Sequence, residues 1–428
     1  MKSTKLYFYD TPDNKYSVTA LLGAMESRSE LFEEIDVGFF SRPEELEENE
    51  SELQRYRRTV LAFSFFSSQL WDIRDMLLRL RPLLQRCRGV TVGGGPHVSG
   101  DGERSVTLLG LDYALLGEGE ISFPALLSAL LRDEDPAGME GLCCYDRSGK
   151  LVNGGMAARV NIDGFDPVSP RFRRYGPLEI TRGCPYGCSF CQTGGLCGHQ
   201  VRHRSLEHIE EVMLRAKELF KLRFFRALTP NALSYGSKNG VEVNLEELEK
   251  LLQMLRRVLG EQGQIYMGYF PSEVRPNNVS DETLSLLKRF VCNEDIVIGA
   301  QSGSERMLKA AHRGHTAEQV YEAAECLLRH GFVPNVDFIC GLPGEGEEDA
   351  QKSVEMIERL ANEGCRINVH AFMPLPQTRW EAEPAGKIRQ CYIDLLRRLT
   401  PKNVVYGDWV NQSAQGKKMH RYFTTGEL

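Results

Sequence analysis

Apolar and polar positions along the first 150 residues switch repeatedly between two periods. Residues 5–9, LYFYD, alternate and read as a strand, TPDNKYS reads as a turn, and residues 18–26 carry the 3.6-residue period of a helix. A second strand is expected at 34–40 and an acidic helix at 43–57. At 59–66 the run TVLAFSFF is apolar without interruption, the pattern of a strand covered on both faces. The loop Ser67, Ser68, Gln69 opens a helix at 71–87, strands follow at 89–92 and 112–116, and a helix runs through 131. Strands alternating with helices predict a doubly wound parallel sheet, Rossmann-like, whose ligand sits beyond the carboxyl ends of the strands. Residues 135–175 are rich in Pro and Gly and read as a hairpin followed by a linker, with a boundary near Asp166.

The second half repeats a strand–helix unit. A short apolar strand at 178–180 precedes an amphipathic helix at 205–220. Strands at 223–228 and 264–270 carry helices at 244–259 and 280–290. A strand at 295–300 leads into helical stretches at 304–311 and 316–330, a strand at 332–340 into a helix at 347–362, and a sixth strand lies at 366–372. Six units are too few to close an eight-stranded barrel. The last segment has a helix around 387–399 and an aromatic, basic tail, read as a cap on the barrel mouth, a substrate-contacting tail or plain packing. The expected domains are 1–150, a linker at 151–175, a partial (β/α)6 barrel at 176–376 and a small C-terminal segment at 377–428.

Composition narrows the class. The 42% hydrophobic and 26% charged fractions suit a water-soluble chain. The longest apolar runs, at 59–66 and 125–131, fall well short of the ~20 residues of a membrane span, so no membrane is expected. Twelve Cys behind a start without an export core predict reduced thiols in the cytoplasm. A net charge of −7, with basic clusters at 55–58, 171–174 and 417–421 that are not interleaved with aromatics, gives no reason to expect nucleic acid.

The densest chemistry lies in EITRGCPYGCSFC, where Cys184, Cys188 and Cys191 share one loop with Gly183, Pro185 and Gly187. Three thiolates can hold three irons of a 4Fe-4S cubane and leave the fourth open to a small molecule. The same loop also admits a zinc knuckle, with Cys197, His199 or His203 as a fourth ligand, or three core cysteines. The CxxxCxxC spacing with Phe190 before the last Cys resembles the radical S-adenosylmethionine (SAM) superfamily. That resemblance implies a partial (β/α)6 barrel with SAM at the strand ends. GAQSGSERML looks like the family's SAM-binding turn, which implies Gln301, Ser302, Ser304 and Glu305 as SAM contacts, with Asn231 after the second strand. Ser304 also reads as a helix cap. Arg313 matches a basic position near the SAM carboxylate. GLPGEGEED and FMPLPQT resemble loops that wall the site, with Gln377 standing where Gly is usual. Cys197 and Cys340 are further candidates for radical or proton partners.

Upstream, GGGPHVSG alone marks only a turn. Followed by GEGE and then the cysteine motif, it gives the first ~150 residues a resemblance to the cobalamin-binding domain of cobalamin-dependent radical SAM enzymes. The resemblance implies Gly93, Gly94, Gly95 and His97 along the corrin's tail, Gly117, Glu118 and Gly119 nearby, and Ser64, Ser67 and Ser68 toward the lower face. The DxHxxG motif that supplies an axial histidine elsewhere is absent. A flavodoxin-like regulatory module is the other reading of this half.

Together the resemblances imply transfer of a methyl group from methylcobalamin to an unactivated sp3 carbon, with a 4Fe-4S cluster, SAM and a reductant such as ferredoxin or flavodoxin. The opening YDTPDNKYSVTALLGAME is similar to archaeal members linked to methanogenesis. It implies a post-translational modification, a glutamine Cα of methyl-coenzyme M reductase being the acceptor. A cobalamin-dependent cyclase or rrearrangement enzyme, and a cobalamin carrier or sensor, remain as alternatives. A methylthiotransferase needs a second upstream cysteine trio, and only Cys87, Cys143 and Cys144 stand there.

Overall fold

The uninterrupted apolar run at 59–66 becomes the middle strand of the first sheet. The computed structural model describes residues 2–428, and the chain divides into two compact units, one ending at Gly176 and the other beginning at Pro177. In the first, β1 (Thr4–Tyr9), α1 (Lys15–Glu26), β2 (Ile35–Phe40), β3 (Arg58–Ser64), α2 (Leu70–Arg86), β4 (Gly89–Gly94), α3 (Gly95–Gly100), β5 (Tyr113–Leu115) and α4 (Gly119–Leu131) alternate as the periodicity predicts. The sheet order is β2-β1-β3-β4-β5, all parallel, with an antiparallel hairpin of β6 (Leu142–Tyr145) and β7 (Leu151–Asn153) at the far edge. Strand order reverses at β1 and β3, the place where open α/β sheets bind ligands beyond their strand ends. Leu6, Phe8, Val60 and Val92 on the strands pack with Leu22, Leu126 and Leu127 on the helices.

Two expectations change here. The acidic stretch 43–57 forms two short helices, Pro43–Glu47 and Glu50–Leu53, not one. Its six glutamates repel along a single helix, and Glu44, Glu47 and Glu50 pair with Arg79 and Arg86 of α2 instead. Residues 151–175 are packed into the first unit rather than strung out as a linker. Ala157 N–H donates to Leu116 O at 2.9 Å, and both Nη atoms of Arg174 donate to the Asp10 carboxylate at 2.9 and 2.6 Å.

In the second unit, β8 (Leu178–Glu179), α5 (Leu206–Phe220), β9 (Phe224–Leu228), α6 (Leu245–Leu259), β10 (Gln264–Tyr266), α7 (Asp281–Phe290), β11 (Asp295–Gln301), α8 (Ala317–Arg329), β12 (Val333–Cys340), α9 (Glu347–Asn362) and β13 (Arg366–Ala371) follow in order. Two parallel sheets, β8-β9-β10 and β11-β12-β13, meet where Val297 N–H donates to Gly268 O and Val274 N–H to Val297 O, both at 2.8 Å. The result is the open six-stranded arc of a partial barrel. Side-chain caps from Ser205, Asn244, Ser280 and Thr316 start its helices.

The C-terminal segment adds a further unit. After α10 (Gln390–Leu399), β14 (Val405–Tyr406) pairs in parallel with β13, and α11 (Trp409–Thr425) buries Met419, Tyr422 and Phe423. The basic tail is thus a strand and a helix packed on the barrel edge. Among the described residues no helix is long and apolar enough to cross a membrane.

Candidate active site

Gly183 starts the cysteine loop at φ +92°, a conformation suited to glycine, and a Cβ there would overlap the Gln200 carbonyl. Backbone bonds then shape the loop: Cys184 N–H donates to Gly198 O and Cys191 N–H to Cys188 O, each at 3.0 Å. Ser189 ties it to the barrel, its N–H donating to Ala311 O at 2.9 Å and its hydroxyl to Ala310 O at 3.1 Å. All three cysteines open into one cavity of about 330 Å³ at the carboxyl ends of the strands.

The sulfurs fit a cluster better than a single ion. Among the described residues, the cysteines are not a group whose ligand atoms all lie within 4.8 Å of one another, the closeness one zinc ion demands. Both ring nitrogens of His203 are engaged, by Thr181 Oγ1 at 2.8 Å and Ser237 O at 2.9 Å, so it is not an available fourth ligand. Burial pushes the Cys184 and Cys191 thiols up. Two buried guanidiniums counter this by favouring thiolate. Arg313 Nη1 lies 3.8 Å from Cys188 Sγ, and its Nη2 donates to Gly299 O at 2.9 Å. Arg275 stacks 3.4 Å from the Tyr186 ring centroid and donates to Arg313 O.

Of the residues expected at SAM, Gln301, Asn231 and Arg313 line this cavity, together with Phe190 of the cysteine motif. Gln301 takes φ +71° where the β11–β12 register slips past Gly299, and a Cβ on Gly299 would overlap Arg313 and Gln301 side-chain atoms. A non-glycine residue held in that conformation carries strain of the kind found at ligand clamps. Asn231 Nδ2 donates to Asn278 Oδ1 at 2.8 Å, fixing the turn after β9. Phe190 packs with Met307, Leu342 and Phe372.

Ser302, Ser304 and Glu305 do not line the cavity. Ser304 caps its helix and donates to Asp349 Oδ1 at 2.6 Å, Ser302 Oγ is 3.2 Å from Ser353 Oγ, and Glu305 accepts from Ala317 N–H. Ser302 and Ser304 thus bind the turn to α9, and Glu305 binds it to the start of α8. Gln377 sits at φ +62°, which explains why glycine suits that position. A Gln377→Gly change should stabilise the fold by about 0.5–1 kcal/mol, since relief of left-handed strain exceeds the added chain entropy; urea unfolding reads it.

Among the lining residues that escaped the sequence reading are Glu273, Arg275, Asp337 and His370. Their signal was polar residues in and just after strands, as Asn335 and Asp337 alternate within the apolar VPNVDFIC. Asp337 accepts from Asn368 Nδ2 at 3.0 Å, Asn368 Nδ2 is 2.9 Å from His370 Nε2, and Gln412 of α11 is 3.2 Å from His370 Nδ1. Asp337 is pushed up to about 7, by burial first and by the Glu273 carboxylate second. Its folded form therefore holds a proton that the unfolded chain releases near its ordinary value of 3.8. This contribution to stability is complete below that value and is lost as pH rises toward 7. Asp337→Asn should flatten this slope, raising stability at neutral pH by on the order of 1–3 kcal/mol, measured by denaturant unfolding at pH 4.5 and 7.5.

In the first unit, Gly94 ends β4 with open space where a Cβ would stand, whereas Gly95, at φ +86°, lies against Ser64 Oγ and the Phe65 backbone. Gly94 thus leaves a recess of open space at the carboxyl end of β4. Ser64 Oγ donates to Ser17 Oγ at 3.0 Å, and Ser67 and Ser68 form a 3-10 turn before α2. His97 is fully buried, its Nδ1 3.0 Å from Ser67 Oγ and its ring stacked 5.4 Å from Phe65. Burial pushes it down to about 3. It is a neutral core histidine holding the Ser67 turn and not an open wall for a ligand tail. Gly117, at φ +91°, and Gly119 precede and start α4, while Glu118 Oε2 accepts from Val160 N–H at 2.9 Å, anchoring the segment after the hairpin.

Residues 178–357 match the Radical SAM superfamily model. Over 310 residues the chain is 23% identical to an uncharacterised methyltransferase of Pyrococcus horikoshii, covering 69% of this chain and 63% of that protein. Over 220 residues it is 31% identical to the tRNA-2-methylthio-N(6)-dimethylallyladenosine synthase of Moorella thermoacetica, 50% of this chain and 46% of that one. The chain thus spans about half to under two-thirds of the length of the curated relatives it matches. Among solved structures, the cobalamin-dependent SAM radical enzyme OxsB with aqua-cobalamin matches with TM-score 0.66 at 17% identity, over 96% of this chain and 60% of that one. The radical SAM methyltransferase TsrM from Kitasatospora setae, with tryptophan and a SAM analogue, matches with TM-score 0.65 at 18% identity, over 89% and 75%. At these identities the likeness establishes a shared fold.

Proposed function

We propose that the chain is a cobalamin-dependent radical SAM methyltransferase. The observation that carries this reading is the cysteine loop pinned over a cavity at the barrel's strand ends, in a chain whose first unit ends its sheet in a glycine recess. Cys184, Cys188 and Cys191 would hold a 4Fe-4S cluster, the cavity would hold SAM, and the recess at Gly94 and Gly95 would receive cobalamin. Bound together, these groups supply an electron, a hydrogen-abstracting radical and a transferable methyl group.

The chain's own residues bind and orient. Arg313 and Arg275 place buried positive charge beside the thiolates. Gln301, fixed by its backbone, presents an amide to the cavity, and Arg313 is the cation for a carboxylate. Glu273, Asp337 and His370 supply hydrogen-bonding groups to the same cavity. Phe190 and its packing partners keep water away from the loop. A reductant of the ferredoxin or flavodoxin class would deliver the electron.

The likeness to the methylthiolating relative is not carried into this reading, because a second cysteine trio is not assembled among the described residues. Cys143 and Cys144 are consecutive on β6 and so face opposite sides of the sheet, and Cys87 is buried at the end of α2. For the acceptor, we take an unactivated sp3 carbon, specifically the Cα of a glutamine in a protein, methyl-coenzyme M reductase being the motivating case. Anaerobically reconstituted chain incubated with SAM and a glutamine-bearing peptide from that protein should yield peptide heavier by one methyl group. Deoxyadenosine release without peptide methylation would remove this acceptor.

A further inference from the structure

On the outer wall of the barrel, α7 and α8 meet at three side chains of metal-binding type. Asp281 opens α7, while Cys326 and His330 lie one helical turn apart at the end of α8. Their ligand atoms all lie within 4.8 Å of one another. Cys326 Sγ is 3.5 Å from Asp281 Oδ1, and His330 Nε2 is 3.7 Å from the same oxygen.

The histidine's tautomer gives an independent pointer. His330 Nδ1 is 2.9 Å from the Cys326 carbonyl oxygen, which can only accept, so the proton of the neutral ring sits on Nδ1. Nε2 then turns a lone pair toward the Asp281 carboxylate, with Ser285 Oγ 3.5 Å away, while Cys326 Sγ is 3.9 Å from Nδ1 of the same ring. A backbone carbonyl that fixes the ring in this way is the usual support for a metal-bound histidine. The distances suit a small ion too. Bonds of about 2.0–2.3 Å around a tetrahedral ion separate its ligands by roughly 3.3–3.8 Å.

We propose that Asp281, Cys326 and His330 form a zinc-class divalent metal site that clamps the start of α7 to the end of α8, with water as fourth ligand. On binding, the Cys326 thiol gives its proton to solvent and a metal–sulfur bond forms. The ion also takes the Asp281 oxygen from Arg329, whose Nη2 lies 3.1 Å away in an exposed ion pair that is easily given up. A thiolate and an imidazole select zinc over magnesium or calcium. The competing occupant is a proton, making His330 a cation beside Asp281.

The test is zinc-edge X-ray absorption on the full chain with its cysteine-loop cluster already reconstituted, loaded with one equivalent of zinc. One sulfur at about 2.3 Å and nitrogen or oxygen at about 2.0–2.1 Å are expected. Cys326→Ser should lose the sulfur shell, and Cys326→Ser and His330→Gln should each bind zinc roughly tenfold or more weakly. Zinc should raise Tm in the parent chain and leave Cys326→Ser unmoved. Asp281 is exposed, so Asp281→Asn folds and should also weaken binding. A shell without sulfur, or equal zinc affinity in the parent and all three variants, would overturn the proposal.

Discussion

Replacing Cys188 with alanine leaves a folded chain that cannot retain a four-iron cluster and does not cleave SAM. Cys188 is the most buried of the three loop cysteines, 8% exposed, and Arg313 reaches its sulfur. Removing one of three protein ligands leaves two, too few to hold the cubane against loss of iron. Backbone bonds from Cys184, Ser189 and Cys191 keep the loop in place without the Cys188 sulfur, so the cost to folding is about 1 kcal/mol. Iron and sulfide content should fall from four each to near background, and deoxyadenosine formation should drop by at least ~10³-fold, ~4 kcal/mol of barrier. Cys340 is the control: it is fully buried, pushed up to about 12 by burial, and its thiol donates to His370 O at 3.1 Å. Cys340→Ala should keep the cluster. A Cys188→Ala protein with a full cluster would contradict the site.

The second large effect belongs to Gly94. Its backbone is extended, at φ −155°, which any residue adopts, and no atom lies within 4 Å of a Cβ built there. Leucine at Gly94 should therefore fold as well as the parent, within ~1 kcal/mol, yet fill the recess at the strand ends. Cobalamin retention, read from the visible spectrum after gel filtration, should fall at least tenfold, ~1.4 kcal/mol, with the iron content unchanged. Gly95 could not serve, since its positive φ and its contact with Ser64 and Phe65 would strain the fold itself. Undiminished cobalamin in Gly94→Leu would move the corrin away from this recess.

Much of the fold was legible because burial imposes period. TVLAFSFF has no polar face and became a central strand, and the helices from 206 to 329 begin near Ser, Asn and Thr caps visible in the sequence. Periodicity cannot show charge repulsion along 43–57, nor the long-range pairing that draws 154–174 and β14 into their units. The site divides in the same way. Cysteine spacing is a local constraint, so the loop was readable, and Gln301 with Arg313 came with it. Ser302 and Ser304 carry the right groups, yet Asp349 and Ser353, some fifty residues downstream, engage them. Glu273, Arg275, Asp337 and His370 meet only because the barrel closes them onto one cavity, a contact no window of sequence contains.

The central claim is that methyl transfer by this chain passes through cobalamin and needs the loop cluster. Its most direct test is a single turnover series with SAM carrying a deuterated methyl group, run with and without cobalamin on reconstituted protein and a methyl-accepting peptide. The expected result is deuterated methyl in the peptide and deoxyadenosine in solution, with peptide labelling abolished when cobalamin is left out or Cys188 is replaced. Equal labelling without cobalamin, or deoxyadenosine with an unlabelled but altered product, would contradict it.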